Sequence, residues 1–237
     1  LKIMKKEGIV GNLNSPAFKF FPADVFDSEV GPSYRNVVIG IIYNESQIKP
    51  ADAPKSYEDL LAPKWKGKFV MADPTRHTTT TQWLASMHKI MGKEKADRYI
   101  KGLAAQRPVL VDSITPASQK ILTGEVPIGF AFTKYIAIYG KEGAKLDYVK
   151  VDKMLGDGQY MGISSKPQHP NAAQLFIDFF LSEEGMKILA DVGETVTRKG
   201  VYPTFKDADK IKFMDVDELD EEGFAAKAKE FKDIFLK

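Results

Sequence analysis

Short apolar runs rich in β-branched residues recur at 37–43, 68–72, 108–111, 127–132, 146–151 and 159–164, and stretches of helical periodicity lie between most of them. Strands alternating with helices are the pattern of an α/β protein. The helical stretches have punctuated ends. Ser56 with Asp59 three residues on resembles a capping box for a short helix at 57–61, stopped by Pro63. Trp83, Leu84, Met87, Ile90 and Met91 share one face of a helix expected from Thr79 to a stop at Gly92. Further helices are expected at 94–105, at 116–123 before Gly124 and at 133–139 before Gly140. Pro170 opens a strongly apolar helix through Leu175, Ile177, Phe179 and Phe180, followed by another at 183–192. The charged tail at 216–237 reads as a helix docked through Leu219, Phe224, Phe231, Ile234 and Phe235.

A length of 237 residues suffices for one large domain or two small ones. Lys and Arg number 34 against 32 Asp and Glu, so the net charge of +2 gives no global field for nucleic acid or an anionic membrane. Any electrostatic function is local. No apolar run approaches the roughly 18 residues of a membrane span. The absence of cysteine excludes zinc-thiolate sites, disulfides and thiol chemistry. Leu1 stands in place of an initiator methionine, and "LKIMKKEGIV" reads as the end of an amphipathic helix stopped at Gly8, so the natural chain is expected to continue upstream with any export signal.

Within "DPTRHTTTTQWLASM" (73–87) four threonines follow an arginine and a histidine where the helical pattern begins. Threonine is a poor helix former, but at a helix N-terminus its hydroxyl caps unpaired N–H groups or donates to an anion held by them. Arg76, His77, Thr78, Thr79 and Thr80 therefore form either an anion-binding mouth or a plain cap with surface threonines. In "VDSITPASQKILTGE" (111–125), Asp112, Ser113 and Thr115 again follow a strand and open a helix. Alone this is a plain cap; two such loops together are suggestive, because ligands of α/β sheets collect at the carboxyl ends of strands.

Enzymatic signatures are missing: GxSxG, HExxH, Walker A and GxGxxG do not occur, and His77, His88 and His169 lack metal-site spacing. His88 falls within a helix and His169 in a turn. The acidic run at 215–223 lacks the ligand order and central glycine of a calcium loop and reads as a solvated helix start. No catalytic residue, metal or cofactor is expected, and a hydrolytic or transfer enzyme is the disfavoured alternative.

At "YEDLLAPKWKGKFVMADP" (57–74), and then in order at "YNES", "ILTGEVPIGFAF", "KPQHPNAAQLFIDFFLSEEG" and "RKGVYP", the chain resembles the periplasmic solute-binding proteins of ABC importers. The group is the one that includes ferric-ion, polyamine, thiamine and organophosphate receptors. The resemblance runs over almost the whole chain and implies a type II fold of two α/β lobes, with ligand in the cleft between them and closure by a hinge. It implies that 1–43 and 166–200 are the remainder of lobe one, whose N-terminal part is missing. Lobe two would be 49–164 and 204–237, with hinge strands near 37–48, 164–166 and 200–204. The implied partners are a small solute and a membrane permease, with no nucleic acid; the implied protein is periplasmic, or extracellular and membrane-anchored, and monomeric.

Ferric receptors that this chain resembles carry two adjacent tyrosines beyond the "GEV" strand, and the matching positions here hold Lys134 and Tyr135. A lysine repels a trivalent metal and attracts a phosphate or carboxylate. Tyr135 is then a hydrogen-bond donor or a stacking wall; the plain alternative is a solvated Lys134 and a packed Tyr135. The expected solute is accordingly an organic phosphate, phosphonate or carboxylate, with ferric ion held by Tyr135 and a synergistic anion as the alternative.

Overall fold

The computed structural model describes residues 1–236, the side chain of Lys2 excepted. In chain order its helices are α1 (Lys2–Lys6), α2 (Thr78–Ala85), α3 (His88–Met91), α4 (Lys93–Ala105), α5 (Ile114–Thr123), α6 (Lys134–Gly140), α7 (Pro170–Phe180), α8 (Glu183–Asp191) and α9 (Glu221–Phe235). The strands are β1 (Phe26–Asp27), β2 (Gly31–Asn44), β3 (Phe69–Ala72), β4 (Val109–Val111), β5 (Ile128–Phe132), β6 (Leu146–Tyr148), β7 (Met154–Tyr160), β8 (Thr195–Val196) and β9 (Phe213–Asp215). The chain divides into two compact units, one of Leu1–Val37 and Asp157–Asp209, the other of Val38–Gly156 and Lys210–Lys237. The cuts fall within β2, within β7 and after Asp209, where the expectation put them near 37–48, 164–166 and 200–204.

In the second unit β3 pairs in parallel with β4 on one side and β5 on the other, and β5 runs antiparallel to the end of β2. All four residues of β3 are buried, the pattern of a parallel strand covered on both faces. Helix α5 buries Ile114, Ala117, Ser118 and Ile121, one face at helical spacing, and ends where Gly124 adopts the left-handed conformation. Helix α4 likewise buries Ala96, Tyr99, Ile100 and Leu103. Trp83, Phe69, Phe130 and Phe231 are fully enclosed, each contributing about 1.5–3 kcal/mol of transfer free energy.

In the first unit a smaller core forms from Ala17, Phe21, Ile177, Leu181, Met186, Ala190, Val196 and Val201. Ser182 caps α8 by accepting from the Gly185 N–H at 3.2 Å. The Arg198 guanidinium donates to the Leu181 carbonyl at 3.1 Å, placing a cation at the carboxyl end of α7.

Three elements depart from the expectation. The strand expected at 159–164 is β7, five residues earlier at its start. The helix expected from Thr79 to Gly92 is broken at Ser86–Met87 into α2 and α3, because the Ser86 hydroxyl donates back to the Gln82 carbonyl at 2.7 Å. The expected tail helix begins only at Glu221, after β9, and its expected end at Lys237 lies outside the described residues.

Candidate functional site

Because β4, β3 and β5 are parallel neighbours, the three loops that follow them leave from one edge of the sheet. Those loops are 73–77, 112–113 and Thr133, and each opens a helix. The first two are tied at their roots, where the Asp73 N–H donates to the Val111 carbonyl at 2.8 Å. This edge carries the residues that sequence reasoning selected.

In the first loop Asp73 is the organiser. Its Oδ1 accepts from the Thr75 N–H at 2.9 Å, and its Oδ2 lies 3.4 Å from the Arg76 Nε. Asp73 is enclosed while the Arg76 side chain is 72% exposed, so the guanidinium is anchored at one nitrogen and otherwise open. The cap of α2 is His77, not a threonine. Its Nδ1 accepts from the Thr80 N–H at 3.3 Å and pairs with the Thr80 hydroxyl at 2.9 Å. Burial pushes the His77 pKa below the ordinary 6.5, which suits an unprotonated acceptor at a helix N-terminus. The expectation that Thr80 lines the mouth is corrected: it is buried, and His77 engages its hydroxyl. Thr81 is buried as well, its hydroxyl donating to the Pro74 carbonyl at 2.7 Å. Thr78 is exposed and Thr79 half-buried, and their N–H groups have no intrahelical acceptor by helix geometry.

In the second loop Asp112 is exposed and Ser113 is the extended N-cap of α5, its hydroxyl making no capping bond. One residue into that helix the Thr115 hydroxyl meets the Tyr135 hydroxyl at 2.8 Å, joining the second loop to the third. Tyr135 stacks on Phe132 (centroids 6.3 Å) and on Tyr139 (5.3 Å, planes 12° apart). The ring is thus engaged by the protein's own aromatics, and its hydroxyl is the polar group it presents on the rim. The Lys134 ammonium lies 5.7 Å from the Phe132 ring centre and 6.0 Å from that of Tyr135.

Sequence reasoning missed Asp73, Phe132 and Tyr139. Tyr139 lies four residues beyond Tyr135 on α6, a spacing that stacks aromatic rings on one helix face and was available as a signal. Among the described residues no group of three or more His, Asp or Glu side chains is placed to hold a metal, and no helix is long and apolar enough to cross a membrane.

The family model for bacterial extracellular solute-binding proteins matches residues 1–222, and the chain belongs to that family. Its α/β fold is that of type II periplasmic binding proteins. AfuA from Actinobacillus pleuropneumoniae, solved with fructose-6-phosphate bound, superposes with a TM-score of 0.70 at 22% identity, covering 98% of this chain and 78% of that one. Iron-bound HitA from Pseudomonas aeruginosa gives 0.69 at 22% identity, covering 99% and 78%. By sequence, an uncharacterised protein of Haemophilus influenzae is 28% identical over 174 residues, which are 70% of this chain and 50% of that relative. The Fe(3+)-binding periplasmic protein of Serratia marcescens is 24% identical over 168 residues, 68% of this chain and 48% of that one. The chain spans about half the length of these curated relatives.

Proposed function

We propose that this chain is the solute-capturing body of a substrate-binding receptor for an ABC importer, working in the periplasm or anchored at an outer membrane face, and that its solute is a small organic phosphate, phosphonate or carboxylate. One observation carries the reading: three parallel strands bring Arg76, Thr78, Ser113, Thr115 and Tyr135 to a single sheet edge. Guanidinium, hydroxyl and helix N–H groups together form the donor set an anion needs. Asp112 sits on the same rim with a negative charge, so it suits a hydroxyl of the solute better than its anionic group. Membership of a family of solute-binding proteins, with structural neighbours that are binding proteins, supports binding rather than catalysis.

Ferric ion is the second reading, favoured by the iron-binding relatives and by the hydroxyl of Tyr135 on the rim. Lys134 opposes it. A unit positive charge beside the site repels a trivalent cation. The same charge attracts an anion. Native mass spectrometry of protein purified without refolding tests the proposal: the expected adduct is an organic anion, and an adduct of iron alone or of iron with citrate contradicts it.

A further inference from the structure

A cavity of about 740 Å³ opens at the other edge of the same parallel strands. Lys66 precedes β3 and Arg107 precedes β4, so this cavity lies at the amino ends of the strands whose carboxyl ends carry the loops described above. Its volume falls within the roughly 300–1,000 Å³ of small-molecule sites. Pro108, Leu110, Ile234 and Phe235 give it an apolar patch within a mostly polar lining, which holds Lys66, Lys101 and Arg107 and one carboxylate, Asp233.

The charge balance identifies the occupant. Three cations against one carboxylate leave two positive charges among the described residues. The carboxyl ends of α4 and α9 also face the cavity, and each offsets about half a charge. About one positive charge is left over beside the apolar patch. Arg107 adds a separate observation: its φ of 53° is left-handed, at the position beyond the end of α4 where glycine is the favoured residue. Ending the helix needs no side chain there, yet a guanidinium is set on the rim. We infer that this cavity is a second binding site, separate from the solute edge, for a small amphipathic monoanion with an apolar body against Leu110 and Phe235 and its charged group at Lys101 and Arg107.

The test is a titration of the isotopically labelled full chain with decanoate and, separately, with decyltrimethylammonium, both below micelle formation, read by amide chemical shifts. Decanoate is expected to shift residues 101–110 and 233–235 saturably, and the cation of equal chain length to leave them unmoved. Arg107→Gly suits the backbone, so its melting temperature is expected to equal or exceed that of the parent while decanoate binds about fivefold more weakly. Equal responses to both amphiphiles, shifts confined to the exposed face of α7 around Leu175 and Phe176, or unchanged affinity in Arg107→Gly overturn the inference.

Discussion

The two units bury their apolar residues very differently. Among the described residues every one of the largest fully enclosed side chains, from Trp83, Tyr99 and Phe130 to Met87, belongs to the second unit. Every exposed large hydrophobic except Leu236 belongs to the first, with Leu175, Phe176 and Phe179 along one helix and Ile188 and Val192 on or just beyond the next. Helix α7 shows the contrast in miniature: it buries Ile177 alone, whereas α5 buries four residues at helical spacing. The second unit is therefore held by its own core, on whose sheet edge the loops of the candidate site are mounted. The first unit keeps apolar surface in water, forgoing about 25 cal/mol for each Å² left uncovered.

Substitutions break or sharpen this contrast in graded steps. The largest effect is expected from Phe130→Ala, which opens a cavity beside Phe69 and Trp83 and costs about 3–5 kcal/mol of unfolding free energy in urea titration. A loss below about 1 kcal/mol breaks the claim that the second unit depends on this core. Arg76→Ala acts on function instead. If the proposed anion site is right, it is expected to remove a charge-assisted hydrogen bond and weaken affinity by about 1.5–3 kcal/mol, with its exposure placing the loss toward the lower end, while calorimetric stability is unchanged.

His77→Ala is expected to cost about 1 kcal/mol of stability through the lost cap, and His77→Asn to restore most of it, in thermal melts. The native ring holds its proton less tightly than the unfolded one. As pH falls below about 6.5 the unfolded chain takes up a proton that the folded chain refuses, so stability declines until the lowered native pKa is passed and is flat below it. The slope in that window is at most about 1.4 kcal/mol per pH unit, and His77→Asn abolishes it. The smallest effect belongs to the first unit: Leu175→Ala is expected to shift stability by less than about 0.5 kcal/mol, since that side chain is 72% exposed. A loss above 1 kcal/mol shows that something covers it.

What could be read from the sequence depended on whether its cause was local. Strands β3 and β5 were legible because a parallel strand buried on both faces is an uninterrupted apolar run, and α5 because its buried positions keep strict helical spacing. Strand β7 was displaced in the reading because Gly156 and Gly158 interrupt its pattern; a Cβ at Gly158 would lie 3.2 Å from the Ser33 Cβ, a constraint set by a residue distant in sequence. The break between α2 and α3 has the same origin, since the Ser86 hydroxyl that bends the helix also accepts from the Asp217 N–H at 2.8 Å. At the candidate site, Arg76 and Thr78 are singled out by residue type at a helix start and Tyr135 by the resemblance to ferric receptors. The capping role of His77 was not legible, because it depends on ring orientation, and neither was Asp73, whose importance comes from being enclosed beneath an exposed arginine.

The central claim, that this sheet edge holds an anion rather than a metal, is tested most directly by titrating the wild type, Arg76→Ala, Lys134→Ala and Tyr135→Phe with sugar phosphates and with ferric citrate while recording visible absorption. The expected result is saturable binding of a phosphate-bearing solute that weakens in Arg76→Ala and, to a smaller degree, in Lys134→Ala, with no visible band at any iron concentration. A phenolate-to-metal band that appears with iron, disappears in Tyr135→Phe and survives or strengthens in Lys134→Ala contradicts it.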